Sequence, residues 1–223
     1  MSTSGGGAVN ALLYVVVLAL GLQVAVGRLH GLRPERGGLV SAALVWLVVA
    51  VPSLLQFRFP ALLTHLERDP ALVRDGQWWR ILTGLVVQDG GGGGTVFNLA
   101  VLAVVAVLAG QVWGPLGLPV VFLLAHLAFA VPAALLSSDV GAGNSGATFG
   151  LATTLVGAAL ARRPTRAETA RAAGVLLAGV VLVVLLDAHG IPVLAGPVIG
   201  VAGATAVDRR PGTDRRMADS GTS

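Results

Sequence analysis

VFNLAVLAVVAVLAGQV, residues 96–112, runs seventeen positions without one ionisable side chain. A helix crosses the hydrocarbon core of a bilayer in about 20 residues, so a segment of this kind is a membrane-span candidate. Six further apolar segments flank it, at residues 8–27, 38–57, 119–136, 145–161, 172–186 and 191–207. Of the 223 residues 55% are hydrophobic and 12% charged, about half the charge of an ordinary soluble domain. Too few polar residues remain to cover a water-soluble fold around seven such stretches. The fold class expected is therefore all-α, a polytopic transmembrane helical bundle. The last three segments are short, which suits helices that begin below the membrane surface beside a polar cavity.

The charges orient the bundle. Every basic side chain is arginine, with no lysine, and there is no cysteine, which excludes disulfides and thiolate metal sites. Arg28, Arg33 and Arg36 follow the first segment; Arg162, Arg163, Arg166 and Arg171 follow the fifth; Arg209, Arg210, Arg215 and Arg216 fill the tail. With seven spans these regions share one face, and the positive-inside rule makes it cytoplasmic. The expected protein is a multi-pass cell-membrane protein with its N-terminus outside and its C-terminus in the cytoplasm. Residues 58–80 set four arginines against Glu67, Asp69 and Asp75, a balance compatible with the outer side. Their length, with Trp78 and Trp79 near the end, suggests a piece lying in the interface. Arginines confined to short links also explain the net charge of +4 without nucleic acid, which is not an expected partner. The first segment lacks a basic leader and reads as a retained helix, not a signal peptide. Gly90 to Gly94 reads as a flexible loop, and the polar tail 209–223 as disordered.

Three polar residues stand out against this apolar background. Ser145, in Gly143-Asn144-Ser145-Gly146, opens the fifth segment. A serine there is an ordinary N-cap, but it also sits among small residues that let a substrate backbone approach. The free N–H groups of a helix start point at a developing oxyanion. His189 begins the seventh segment, which runs in the same direction as the fifth, so both side chains start their helices on one face. A hydroxyl and an imidazole so matched make a Ser–His pair. His30 and His65 read as solvated, and His126, mid-span, as an interhelical hydrogen bond. Asn98 lies near the same mouth and is either interhelical glue or an amide donor to an oxyanion.

Together these residues resemble the rhomboid intramembrane serine proteases over about residues 38–207. Gln77-Trp78-Trp79-Arg80-Ile81-Leu82-Thr83 looks like the family's W-R-x-x-T segment, and Phe97-Asn98-Leu99 like its F-N-hydrophobic motif. Gly110 to Gly117 is similar to its glycine-bounded turn. Gly143 to Leu151 matches its nucleophile motif, and Ala188-His189 with Gly196 and Gly200 its histidine helix. The resemblance implies a six-helix core over 37–208, an extra N-terminal helix and cytoplasmic loop over 1–36, and a tail over 209–223. It implies Ser145 as nucleophile and His189 as general base, in a dyad without a third acid. Phe149 would stack on the imidazole, while Asn98 and the backbone N–H of Ser145 would bind the oxyanion. Gly143 and Gly146 would support the serine. Substrates would be the transmembrane segments of other proteins, partners the lipid bilayer and those substrates, and no metal or organic cofactor is implied.

The chain departs from the family at three places. Gly94 stands where a histidine commonly donates to the oxyanion, and Trp113 where an acidic residue often follows the second core helix. Pro192 stands three residues after His189, at a usual glycine; setting Gly196 there instead would put Val193 at the catalytic position. A proline is tolerated in a first turn, which favours the register with His189. The alternative function is a catalytically inactive rhomboid-like protein that binds membrane helices without cleaving them.

Overall fold

A computed structural model describes residues 7–208. The tail at 209–223, with its four arginines, lies outside the described residues. Nine helices are present among those described: α1 (Gly7–Leu29), α2 (Arg36–Leu55), α3 (Ala61–Leu66), α4 (Pro70–Arg74), α5 (Arg80–Thr83), α6 (Gly91–Leu136), α7 (Ser145–Leu160), α8 (Arg166–Val184) and α9 (Gly190–Asp208). No strand accompanies them there, only an isolated antiparallel bridge between Arg68 and Gly141. The four long helices α1, α2, α6 and α8 are apolar enough to cross a membrane, and α7 and α9 are shorter apolar helices. Leu12, Leu44, Val48, Val120 and Leu177 point outward and exposed. Only lipid solvates such a girdle, so the chain is an all-helical membrane protein.

Named contacts give each helix a direction. Gly114, at φ 68°, breaks α6 into two arms, and Pro115 follows without an N–H to continue the ladder. In the first arm Asn98 meets Asn144 and Trp113 meets Thr154, so it runs alongside α7. In the second arm Ala125 lies by Gly150 and Phe129 by Gly146, the opposite sense. The chain therefore reverses at Gly114. α1 descends with α7, from Asp187 at Asn10 to the Ala159 carbonyl at Arg28. α2 ascends, from Gly38 at Gly110 to Gln56 at Gln88. Seven apolar helical segments, counting the two arms of α6, thus alternate in direction among the described residues. One end gathers Asn10, Gln88, Asn98, Ser145 and His189, and the other Arg28, Arg162 and Glu168.

α7 is the axis. Every residue from Gly146 to Ala159 is buried, walled by α1, α6, α8 and α9. A helix hydrophobic all round demands that enclosure. The seam with α9 is the tightest, because a methyl on Gly157 would strike the Pro197 carbonyl and one on Gly200 the Thr154 carbonyl. Lipid tails are as apolar as leucine, so membrane helices associate by such close backbone packing. At the far end α8 starts on a capping box of Thr165 and Glu168. Arg28 ties α1 to it by two hydrogen bonds to the Glu168 carboxylate.

The glycine run differs from its reading as a loop. Gly91 to Gly94 form the first turn of α6, with the Gly94 N–H on the Gly90 carbonyl and the Thr95 hydroxyl on that of Gly91. Glycine costs a helix only about 1 kcal/mol per residue. The apolar run behind it propagates the helix backwards at that cost. Residues 58–80 are no free loop either, since they contain α3 and α4 and lead into α5.

Candidate active site

Ser145 is the first residue of α7, after Asn144, which is wholly buried. The Asn144 amide donates to the Asn98 carbonyl at 3.3 Å and to the Thr148 hydroxyl at 2.8 Å, which pins the turn that presents the serine. His189 directly precedes α9, with Pro192 in that helix's first turn, where a missing N–H breaks no intrahelical bond. The Ser145 Oγ and the His189 Nε2 stand 2.9 Å apart.

Behind the imidazole lies a carboxylate. The Asp187 Oδ1 is 2.8 Å from His189 Nδ1 and accepts the His189 backbone N–H at 2.9 Å. Its Oδ2 accepts the Asn10 amide at 2.6 Å and the Tyr14 hydroxyl. The resemblance implies no third acid, so this is a departure in the residues themselves. The turn that delivers Asp187 is strained, because Leu186 holds φ 59° in the left-handed region. It closes the end of α8, with the Asp187 N–H on the Leu182 carbonyl and the Leu186 N–H on that of Val183. Burial pushes the Asp187 carboxyl up, but the hydrogen bond and charge of His189 and the Tyr14 hydroxyl outweigh it and hold it down at about 2.

Three rings enclose the imidazole. Phe149 meets it edge-on, with ring centroids 5.7 Å apart at 80°. Phe129, from the second arm of α6, lies flatter, at 5.0 Å and 33°. Tyr14 stands at 5.1 Å and 60°. Stacking expected of Phe149 alone is thus shared, with Phe129 the nearer to face-on. Phe149 meets Tyr14 at 4.9 Å and supports its ring instead.

The amide of Asn98 comes to the same pocket. A methyl placed on Gly143 would lie 3.2 Å from Gln88 Oε1, 3.7 Å from Asn98 Nδ2 and 4.0 Å from the Ser145 N, so both donors, and the oxygen that holds the Asn98 amide, border one small volume that glycine keeps open. Gly143 also holds φ 142°, which disfavours any side chain there. Asn98 gives one N–H to Gln88 Oε1 at 3.0 Å, leaving the other for an oxygen in that volume. Gln88 is buried and further fixed by Asn144 at 2.8 Å and Ser53 at 3.2 Å, and its backbone is clasped by the Gln56 amide. Gly94, by contrast, offers the cavity no side chain.

A cavity of about 690 Å³ opens over these groups, bordered by Tyr14 and Val15 of α1, Phe97 and Asn98 of α6, Ser145 and His189. Arg68 also lines it, with its guanidinium 5.3 Å over the Phe129 ring. The Arg68 Nε and Nη2 are buried without a hydrogen-bond partner, and burial lowers the pKa of this arginine.

Of the other histidines, His126 is buried with Nε2 2.7 Å from the Ile81 carbonyl, a packing role, while His30 and His65 are exposed. No group of three or more His, Asp or Glu side chains suited to a metal occurs among the described residues. Sequence reasoning missed the roles of Asp187, Asn10, Tyr14 and Phe129. A signal existed for the α1 pair: Asn10 and Tyr14 are one turn apart, on one face of an otherwise apolar helix.

Comparison of the chain with protein families, with characterised proteins and with solved structures finds no match.

Proposed function

We propose that this protein is an intramembrane serine endopeptidase of the rhomboid type, cleaving transmembrane segments of other membrane proteins. The observation that carries the reading is the 2.9 Å contact between Ser145 Oγ and His189 Nε2 at the floor of a cavity inside an apolar bundle. A serine and histidine that only tie two helices together would also meet at hydrogen-bond distance; the reading is supported further by the cavity that both side chains line and by Asn98 on the same cavity.

In the mechanism, a substrate helix unwinds locally in the cavity and offers a backbone carbonyl. Ser145 Oγ attacks the carbonyl carbon while its proton passes to His189 Nε2. The carbonyl π pair moves onto oxygen, which the Ser145 N–H and the Asn98 amide receive. Collapse expels the amine, which takes the proton from His189 and leaves an acyl-serine. Water, deprotonated by His189, then attacks the ester, and the serine recovers its proton. The site end belongs at the outer face, because the arginines of the links after α1 and α7 lie at the opposite end.

Gly94 supports a second reading, a rhomboid-like protein that binds helices without cutting them. One oxyanion donor fewer typically costs on the order of 10²–10³ in rate. A serine-directed fluorophosphonate separates the two. Wild type is expected to be labelled and Ser145→Ala not. Equal labelling of both, in protein shown to be folded, would overturn the protease reading.

A further inference from the structure

We propose that α1 is a working part of the catalytic apparatus: Asn10 and Tyr14 hold Asp187, and Asp187 orients His189 as the base. The inference rests on the serine-hydrolase reading and deepens it.

Asp187 is 2% exposed, so protein donors replace its water. Four are available: the Asn10 amide and the Tyr14 hydroxyl on Oδ2, and the His189 N–H and Nδ1 on Oδ1. An ionised carboxylate only accepts, so Nδ1 must carry its proton. The neutral ring then has a bare Nε2, and the Ser145 hydroxyl donates to it. That is the tautomer a general base needs.

Asp187 cannot hold this pose by itself. It sits on a turn strained at Leu186, and only its Oδ1 is in hydrogen-bond contact with His189 among the described residues. Among those residues, the donors to Oδ2 are both on α1. The Tyr14 oxygen also lies 3.2 Å from Nδ1, which closes the other path for the ring to swing. Asn10 is itself buried, at 9% exposure, on a helix whose neighbour Leu12 faces outward. The Tyr14 ring packs against the core, while its hydroxyl and the Asn10 amide donate to Asp187. Both act through another group, so they are positioning residues, as is Asp187.

The other titratable groups facing the pair are Tyr14 itself and, across the cavity, Arg68 and Asp89. None of them is altered in the variants Asp187→Asn and Asn10→Ala. Their effects on a pH profile therefore report the Asp187–His189 link.

The test uses the purified full chain and the fluorophosphonate labelling rate across pH, with unfolding temperature measured on each variant. Asp187→Asn is expected to slow labelling by about 10²–10⁴, as loss of the orienting acid does in serine hydrolases. Its acid limb moves to lower pH, because the imidazolium loses a counter-charge. Tyr14→Phe removes one oxygen and keeps the ring contacts. About tenfold slowing is expected, with the acid limb moved the opposite way, since Asp187 loses a donor and becomes the stronger acceptor. Asn10→Ala follows Tyr14→Phe, and Leu12→Ala, on the outer face, matches wild type. A low-field imidazole proton resonance in Ser145→Ala protein, lost in Asp187→Asn, reads the same link without any reaction. Tyr14→Phe and Asn10→Ala that label like wild type at every pH overturn the inference and leave the hydrolase reading standing. Wild type that takes no label at Ser145 overturns the hydrolase reading instead. In that case a resonance unchanged in Tyr14→Phe overturns the positioning role as well.

Discussion

Gln88→Leu is the perturbation that isolates how the oxyanion donor is held. Leucine is close to glutamine in volume, so the 1%-exposed site stays filled while the amide is removed. Two effects follow and differ in kind. The Asn144 Oδ1 loses its donor and is left buried, which costs about 1–3 kcal/mol of stability. Asn98 loses the acceptor 3.0 Å away that fixes its amide plane. If Asn98 binds the oxyanion, its removal in Asn98→Ala costs about 10²–10³ in rate, roughly 2.7–4 kcal/mol. Gln88 acts only through Asn98, so Gln88→Leu cannot exceed that ceiling; ten- to hundredfold, about 1.4–2.8 kcal/mol, is expected. In the double variant the two losses must not add. The labelling rate of Asn98→Ala with Gln88→Leu should equal that of Asn98→Ala alone, and the coupling should equal the whole single effect of Gln88→Leu. The assay is the fluorophosphonate labelling rate in detergent, well below the lowest unfolding temperature of the four proteins. Additive losses would refute the orienting role, and an unchanged rate in Asn98→Ala would remove Asn98 from the oxyanion site.

Gly200→Ala puts a methyl against the Thr154 carbonyl, which is backbone and cannot rotate away, so α7 and α9 must separate. A destabilisation of about 1–3 kcal/mol, read as a lower unfolding temperature, is expected together with slower labelling, because Ser145 and His189 ride on those two helices. Glu168→Ala removes both the α8 capping box and the partner of Arg28; about 1–2 kcal/mol of stability should go, with the labelling rate kept, since this end is remote from the site. The Asp187 carboxyl, in the link between α8 and α9, sits at about 2 against an ordinary 3.8. Its folded value is below its unfolded one, so its stabilisation is full above about pH 4 and is lost as pH falls toward 2. Wild type should therefore lose more unfolding temperature across that window than Asp187→Asn, and parallel losses would contradict the geometry.

Helices were legible where the apolar run alone sets them. The span around residues 96–112 needs no tertiary knowledge, because no other structure hides its backbone from lipid. The glycines at 91–94 misled for the converse reason, since local propensity argued for a loop and propagation from the apolar run decided otherwise. Ser145, His189 and Asn98 could be singled out because each is a polar group in an expensive place. Asp187 was equally visible, two residues before His189, but whether its carboxylate turns back to the ring depends on the left-handed Leu186, which no propensity predicts. The pairing of Tyr14 with Asp187 was beyond reach, because the two stand 173 residues apart.

Gly94 and Asp187 bear on one another through their magnitudes. A missing oxyanion donor weakens a serine hydrolase by about 10²–10³. An acid that fixes the base in its working tautomer is worth up to about 10⁴. Both figures are losses on removal, and they concern different parts of the same proton and charge movement, so a site that lacks the first can keep the second. A glycine at 94 is therefore insufficient ground for an inert site in a chain that carries a fully donated carboxylate behind its histidine. The donors to the Asp187 Oδ2 come from α1, so that helix belongs in the same account as the serine and the histidine. A chain cut free of α1 would keep Ser145 and His189 and lose the Asn10 and Tyr14 donors to Asp187.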